Sequence, residues 1–166
     1  MVSRLLRHLF AMPLLLRRRF PPALLAEIES AIRDSEKHHN GEIRFAIETS
    51  LPLSAVLKNI TARQAAIEAF SRLHVWDTQD NSGVLIYLLL ADHDLEIVAD
   101  RGIAEKVGQT AWDEIARVME QHFRAGNFRQ GALEGIRRVT ALLAENFPAG
   151  ERNANELSDK PVILKR

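Results

Sequence analysis

TQDNSGVLIYLLLADHDLEIVADRGI, residues Thr78 to Ile103, decides the fold. GVLIYLLLA, Gly83 to Ala91, is apolar at odd and even positions alike, the pattern of a central strand covered on both faces. LEIVA, Leu95 to Ala99, follows after only the polar connection Ala91 to Asp94. A link that short permits an antiparallel neighbour, because a parallel return needs about a dozen residues or more. Upstream, Ile43, Phe45 and Ile47 alternate with Arg44, Ala46 and Glu48, which predicts a strand with one face in the core. Between the two runs, Thr61 followed by Gln64 predicts a capping box, opening a helix through Leu73 with Ala62, Ala66, Phe70 and Leu73 turned inward.

Working outward, apolar residues at helical spacing predict a helix from Pro22 to Lys37, with Leu24, Leu25, Ile28, Ala31 and Ile32 on its inner face. Another begins at Thr110, carries Trp112, Ile115, Ala116, Met119 and Phe123 inward, and ends at Gly126. RQGALEGIRRVTALLAENF supplies a last helix, stopped by Pro148. The order of elements predicts an α/β sandwich whose small mixed sheet comes from one βαβ unit plus an antiparallel hairpin strand. Three regions result: a basic amphipathic segment 1–20, an α/β domain 21–148 and a flexible polar tail 149–166.

Composition removes several function classes. The chain has 166 residues, 46% of them apolar, enough for one domain with a real core. Its 22 basic and 22 acidic residues cancel, so no global field argues for nucleic acid. The absence of cysteine excludes disulfides, thiol nucleophiles and thiolate metal sites. No run reaches the roughly 18 apolar residues of a spanning helix, and the N-terminus lacks a small-residue cleavage pattern, so a cytoplasmic protein is expected.

The predicted topology sorts the carboxylates. The starts of the first two strands and the end of the third share one sheet edge, where Glu42, Asp80, Asn81 and Asp100 converge, while Asp92 and Asp94 lie at the opposite edge. Three carboxylates and an amide oxygen are hard ligands of the kind Ca2+ or Mg2+ takes. The competing reading is turn chemistry alone, since Asp, Asn, Ser and Gly favour turns for local reasons. Arg101, beside Asp100, suits either an ion pair with that acid or bidentate phosphate binding.

Other signals compete for a role. A hydrophobic strand followed by Asp92-His93-Asp94 resembles the start of phosphatases with an aspartyl-phosphate intermediate. Glu96 stands where that pattern has Thr or Val, and no second acidic pair follows, so a polar turn explains the triplet better. His38 and His39 point apart and lack a helical partner histidine, which reads as solvated residues at a helix end. Gly126, Gly131 and Gly135 lack the Lys-Ser/Thr of a phosphate loop and read as helix stops and packing positions.

DNSGVLIYLLLADHDLEIVADRGI, the helix containing Trp112, FRAGNFRQGALEGI and the final FP together resemble the TPM-domain family over Ala23 to Pro148. That family includes thylakoid-lumen phosphatase-like proteins and bacterial membrane-linked relatives, and this chain looks like a short bacterial form without signal peptide or anchor. The resemblance implies a three-layer α/β/α domain, proposed calcium binding in some members and a disputed acid phosphatase activity in plant relatives. It makes Asp80, Asn81, Asp100 and Arg101 the leading site candidates.

The expected function is therefore a non-enzymatic or weakly catalytic interaction domain, binding Ca2+ or Mg2+ at the carboxylate-lined edge and acting near membrane proteins, with no organic cofactor. The alternative is a metal-assisted phosphomonoesterase in which an ion on Asp80 and Asp100 polarises a phosphoryl oxygen and Arg101 steadies its charge. Residues 1–20 add a partner expectation. Leu5, Leu6, Leu9 and Phe10 can share a helix face beside Arg4, Arg7 and Arg17 to Arg19, which suits either peripheral contact with a membrane or packing on the domain.

Overall fold

The computed structural model describes residues 2–10, 13–150 and 155–165. After α1 (Val2–Leu9) and α2 (Pro13–Arg19), the chain forms α3 (Pro22–Ser35), β1 (Glu42–Glu48), α4 (Leu53–Leu57) and α5 (Ala62–Arg72). It continues through β2 (Gly83–Leu89), β3 (Asp94–Ala99), α6 (Arg101–Lys106), α7 (Gln109–Arg124), α8 (Phe128–Asn146) and β4 (Val162–Leu164). The sheet runs in the order β3-β2-β1-β4. β1 is parallel to β2, with Glu42 opposite Gly83, and β3 is antiparallel to β2, with Val84 opposite Ala99. This is the mixed sheet expected from a βαβ unit and a hairpin.

Period-two alternation builds two cores from one sheet. Ile43, Phe45, Ile47, Val84, Ile86 and Ile97 face α3, α7 and α8, where Phe20, Ile28, Ile32, Met119 and Ile136 fill the layer. Ala46, Leu85, Tyr87, Leu89 and Val98 face Val56, Ala65, Ala66 and Ala69 of α4 and α5. The alanines of α5 let that helix lie close to the sheet. Thr61 and Gln64 form the anticipated reciprocal capping box. Gly126, at φ +81°, follows the last turn of α7 in the left-handed conformation that favours glycine.

The structure corrects four expectations. β1 is buried along its whole length rather than on one face, because β2 and β4 flank it and helices lie on both sides of the sheet. His39 is fully buried rather than solvated, and burial pushes its imidazole down to about 4. The Asp100-Arg101-Gly102 loop begins a helix, α6, capped by the Asp100 side chain. Finally, the polar tail is no tail over residues 155–165. Val162, Ile163 and Leu164 pair in parallel with Ala46, Ile47 and Glu48, and Leu164 is buried. That terminal segment is a strap across the outer edge of β1.

Candidate functional site

The sequence-predicted rim exists at the level of backbone. Glu42 N–H donates to Ser82 O at 3.4 Å, Asp100 N–H to Gly83 O at 2.9 Å, and Ile103 N–H to Asn81 O at 3.3 Å. These bonds seat the Asp80–Gly83 turn between the start of β1 and the start of α6. Asn81 holds φ +51°, a left-handed position that Asn tolerates well. Gly102 completes the fit, since a Cβ there would lie 2.3 Å from Asp80 O and 2.8 Å from Asn81 O. The turn carbonyls therefore lie directly against the first turn of α6.

The side chains at this rim divide into engaged and free. Asp100 Oδ1 accepts the Arg101 N–H at 2.8 Å, an N-cap bond. Its Oδ2 is buried and accepts no hydrogen bond among the described residues. Asp80 is exposed and Asn81 half-buried. Arg101 is exposed, and only its backbone, not its guanidinium, bonds Asp100. Glu42 sits at the same edge, but its two oxygens accept the Glu156 and Leu157 N–H groups at 3.0 and 3.1 Å. Among the described residues no group of three or more His, Cys, Asp or Glu side chains has the arrangement of a metal cage.

Glu42 belongs instead to a cluster that sequence reasoning missed. Arg44 lies two positions along β1 and donates through Nη1 to the Ser158 carbonyl and, at 3.4 Å, to Lys160 O. Arg33 reaches Asp159 at 3.3 Å, and Asn155 donates to Asp159 at 2.6 Å. Glu156 accepts the Gln79 N–H at 3.0 and 3.2 Å, tying the strap to the residue before Asp80. Glu36 is buried beside this cluster. Burial, reinforced by the charges of Glu42 and Asp159, pushes its carboxyl up to about 8. Burial also raises Glu42, against the lowering effect of its two N–H partners, and burial pushes the Arg44 guanidinium down. The only sequence signal for this cluster was the pair Glu42 and Arg44 on one short strand, whose second face the sequence pattern did not place in the core.

At the opposite edge Asp92 has a structural partner set. Arg4 Nε and Nη2 donate to Oδ2 at 2.9 and 2.8 Å, Arg4 Nη2 also donates to Ile60 O at 2.7 Å, and His8 Nε2 lies 3.1 Å from Oδ1. His8 Nδ1 accepts the Leu51 N–H at 2.9 Å. Burial acts to raise the Asp92 carboxyl, but the Arg4 and His8 side chains outweigh it and hold the group below its ordinary value. Burial and the neighbouring Asp92 raise Asp94. The would-be nucleophile is thus the anchor of α1. A separate cleft of about 500 Å3, lined by Arg18, Arg19, Glu27, Phe128 and Arg129, shares no residue with either edge.

Comparison with known proteins places this geometry. The TPM-domain family model matches residues 19–142. The BA42 protein of the psychrophilic bacterium Bizionia argentinensis, solved by NMR, superposes with a TM-score of 0.75 at 31% identity, over 85% of this chain and 92% of that one. The N-terminal domain of a P. gingivalis protein superposes with a TM-score of 0.61 at 17% identity, over 76% and 77% of the two chains, a likeness of fold. No curated protein matches the chain.

Proposed function

This chain belongs to the TPM-domain family, and from that premise we propose a non-enzymatic or weakly catalytic interaction module whose rim takes one hard divalent cation, Ca2+ or Mg2+. The observation that carries this reading is Asp100 Oδ2, a buried carboxylate oxygen with no hydrogen-bond donor among the described residues. A buried anionic oxygen left unpaired is costly, and a cation offsets that cost. Asp80 and Asp100 would supply charge, and the Asn81 amide oxygen a neutral ligand, all of the hard class these ions take. Glu42 is committed to the strap, which leaves two carboxylates and points to modest affinity. When bound, the ion would neutralise the rim and offer a partner an electrophilic contact.

The phosphomonoesterase reading rests on Arg101, exposed beside Asp100 and in no ion pair with a described residue. It would hold a phosphoryl oxygen while the rim cation polarises the ester.

Calcium or magnesium titration with thermal unfolding as the readout tests the site. Saturation at about 100 times Kd should stabilise by about 2.7 kcal/mol, a rise of about 5–10 °C in a domain of this size. Asp80→Ala and Asp100→Asn should each remove the rise, Asn being chosen because it retains a helix cap. Asp92→Ala, at the other edge, should leave it intact. An undiminished calcium response in both rim variants overturns the site. Hydrolysis of p-nitrophenyl phosphate on the same samples, lost on Arg101→Ala, would favour the esterase.

A further inference from the structure

Nine large apolar side chains are conspicuously exposed among the described residues, and seven lie either between Leu6 and Leu15 or on α4. Leu9 is 55% exposed, Phe10 68%, Leu14 68% and Leu57 60%. Soluble domains rarely leave large contiguous apolar patches bare, and the exposed side chains of α1 and α4 belong to two helices that pack together. The packing of α1 explains which side remains open. Leu5 joins the core beneath it, buried His8 takes the Leu51 N–H, and Arg4 is fixed to Asp92. α1 rests on α4, so Leu6, Leu9 and Phe10 stay outward while α4 exposes Leu53 and Leu57, one turn apart.

None of α1, α2 and α4 carries an acidic residue, and Asp92, the acid beside α1, is 9% exposed and already engaged by Arg4, Arg7 and His8. No acid occurs before Glu27, whereas Arg7, Arg17, Arg18 and Lys58 are all exposed. Arg17, Arg18 and Lys58 form no ion pair with a described residue. Exposed leucines and phenylalanine flanked by unpaired cations complement a surface that is apolar within and anionic at its face. No helix among the described residues is long and apolar enough to cross a membrane.

We propose that α1, α2 and α4 form a peripheral docking face for an anionic lipid bilayer, independent of the cation rim. Leu9, Phe10, Leu14 and Leu57 enter the acyl boundary, and the arginines with Lys58 meet the headgroups. The Arg4–Asp92 pair makes the face part of the rigid domain instead of a trailing anchor. Each cation at such a surface strengthens partitioning about fivefold, so the contact is reversible and sensitive to salt.

Co-sedimentation of the full chain with phosphatidylglycerol/phosphatidylcholine vesicles, and with phosphatidylcholine alone, tests this. Binding should require the anionic lipid and decline as salt rises. Leu9→Ser/Phe10→Ser and Arg17→Gln/Arg18→Gln should each weaken it about tenfold or more. Because these side chains are exposed, both variants should keep the parent melting temperature, which separates lost docking from lost folding. Absence of binding to anionic vesicles, or binding undiminished in both double variants, overturns the proposal. So does a parent that forms dimers broken by Leu9→Ser/Phe10→Ser while ignoring vesicles, since a second copy would then cover the face.

Discussion

Asp92→Ala tests whether the first helix is built into the domain. The carboxylate is only 9% exposed and receives Arg4 at 2.8 Å, with His8 3.1 Å from its other oxygen. A hydrogen bond to a charged group contributes about 1.5–3 kcal/mol. The upper limit is the free energy of undocking α1, because the helix can lift away and rehydrate Arg4. A loss of about 2 kcal/mol is therefore expected, corresponding to about 4–8 °C in melting temperature. Two measurements check it. Thermal unfolding gives the loss, and hydrogen exchange reads the Leu51 amide, which donates to His8 and should lose protection as the helix lifts. Arg4→Gln combined with Asp92→Asn should cost less than the sum of the single changes, since both remove one interaction. The sign with pH follows from the lowered carboxyl of Asp92. Its contribution is present above the ordinary aspartate pKa and disappears as pH falls through the depressed folded value. An Asp92→Ala protein melting within about 1 °C of the parent, with Leu51 still protected, would refute the anchoring role.

Glu36→Gln should flatten the pH dependence of urea stability. With its carboxyl raised from 4.5 to about 8, Glu36 contributes fully below the ordinary value and loses that contribution as pH rises through 8. Gly83→Ala should be severely destabilising in thermal unfolding, because the added Cβ would sit 2.0 Å from the Val75 carbonyl, a backbone atom that cannot swing aside. Gly135→Ala should cost less, about 1–3 kcal/mol, because its clash at 2.1 Å is with the flexible Met119 side chain. Ending the chain at Pro148 removes β4, and light scattering should then register concentration-dependent self-association through the bared edge of β1.

Periodicity sufficed for what is long or doubly apolar. The both-parity run of β2, the short link to β3 and the Thr61 capping box located the sheet and its crossover, and that topology alone brought Asp80, Asn81 and Asp100 to one rim. The rest failed for separate reasons. β4 has three residues and follows a polar stretch, so nothing in its own pattern distinguishes it from a tail. α6 has six residues, too few for a helical repeat to register, although Asp100 before Arg101 is a legible cap. The role of Glu42 depended on the strap and was hidden with it. The Arg4–Asp92 pair spans 88 residues of sequence and leaves no local trace.

The strap also sets the order in which the molecule can be finished. Glu42 opens the first strand, yet the amide of Glu156 that satisfies it lies 114 residues later, and β4 follows every other element of the fold. At a synthesis rate of about 5–20 residues per second, β1 waits about 6–23 s for β4, its neighbour on the outer side. Through that interval the nascent chain holds the central hairpin and its helices beside an open edge and a carboxylate without its donors. A ribosome-bound chain halted before the strap thus carries a bare β1 edge open to strand pairing with its neighbours, and that edge closes only when Glu156 and β4 arrive.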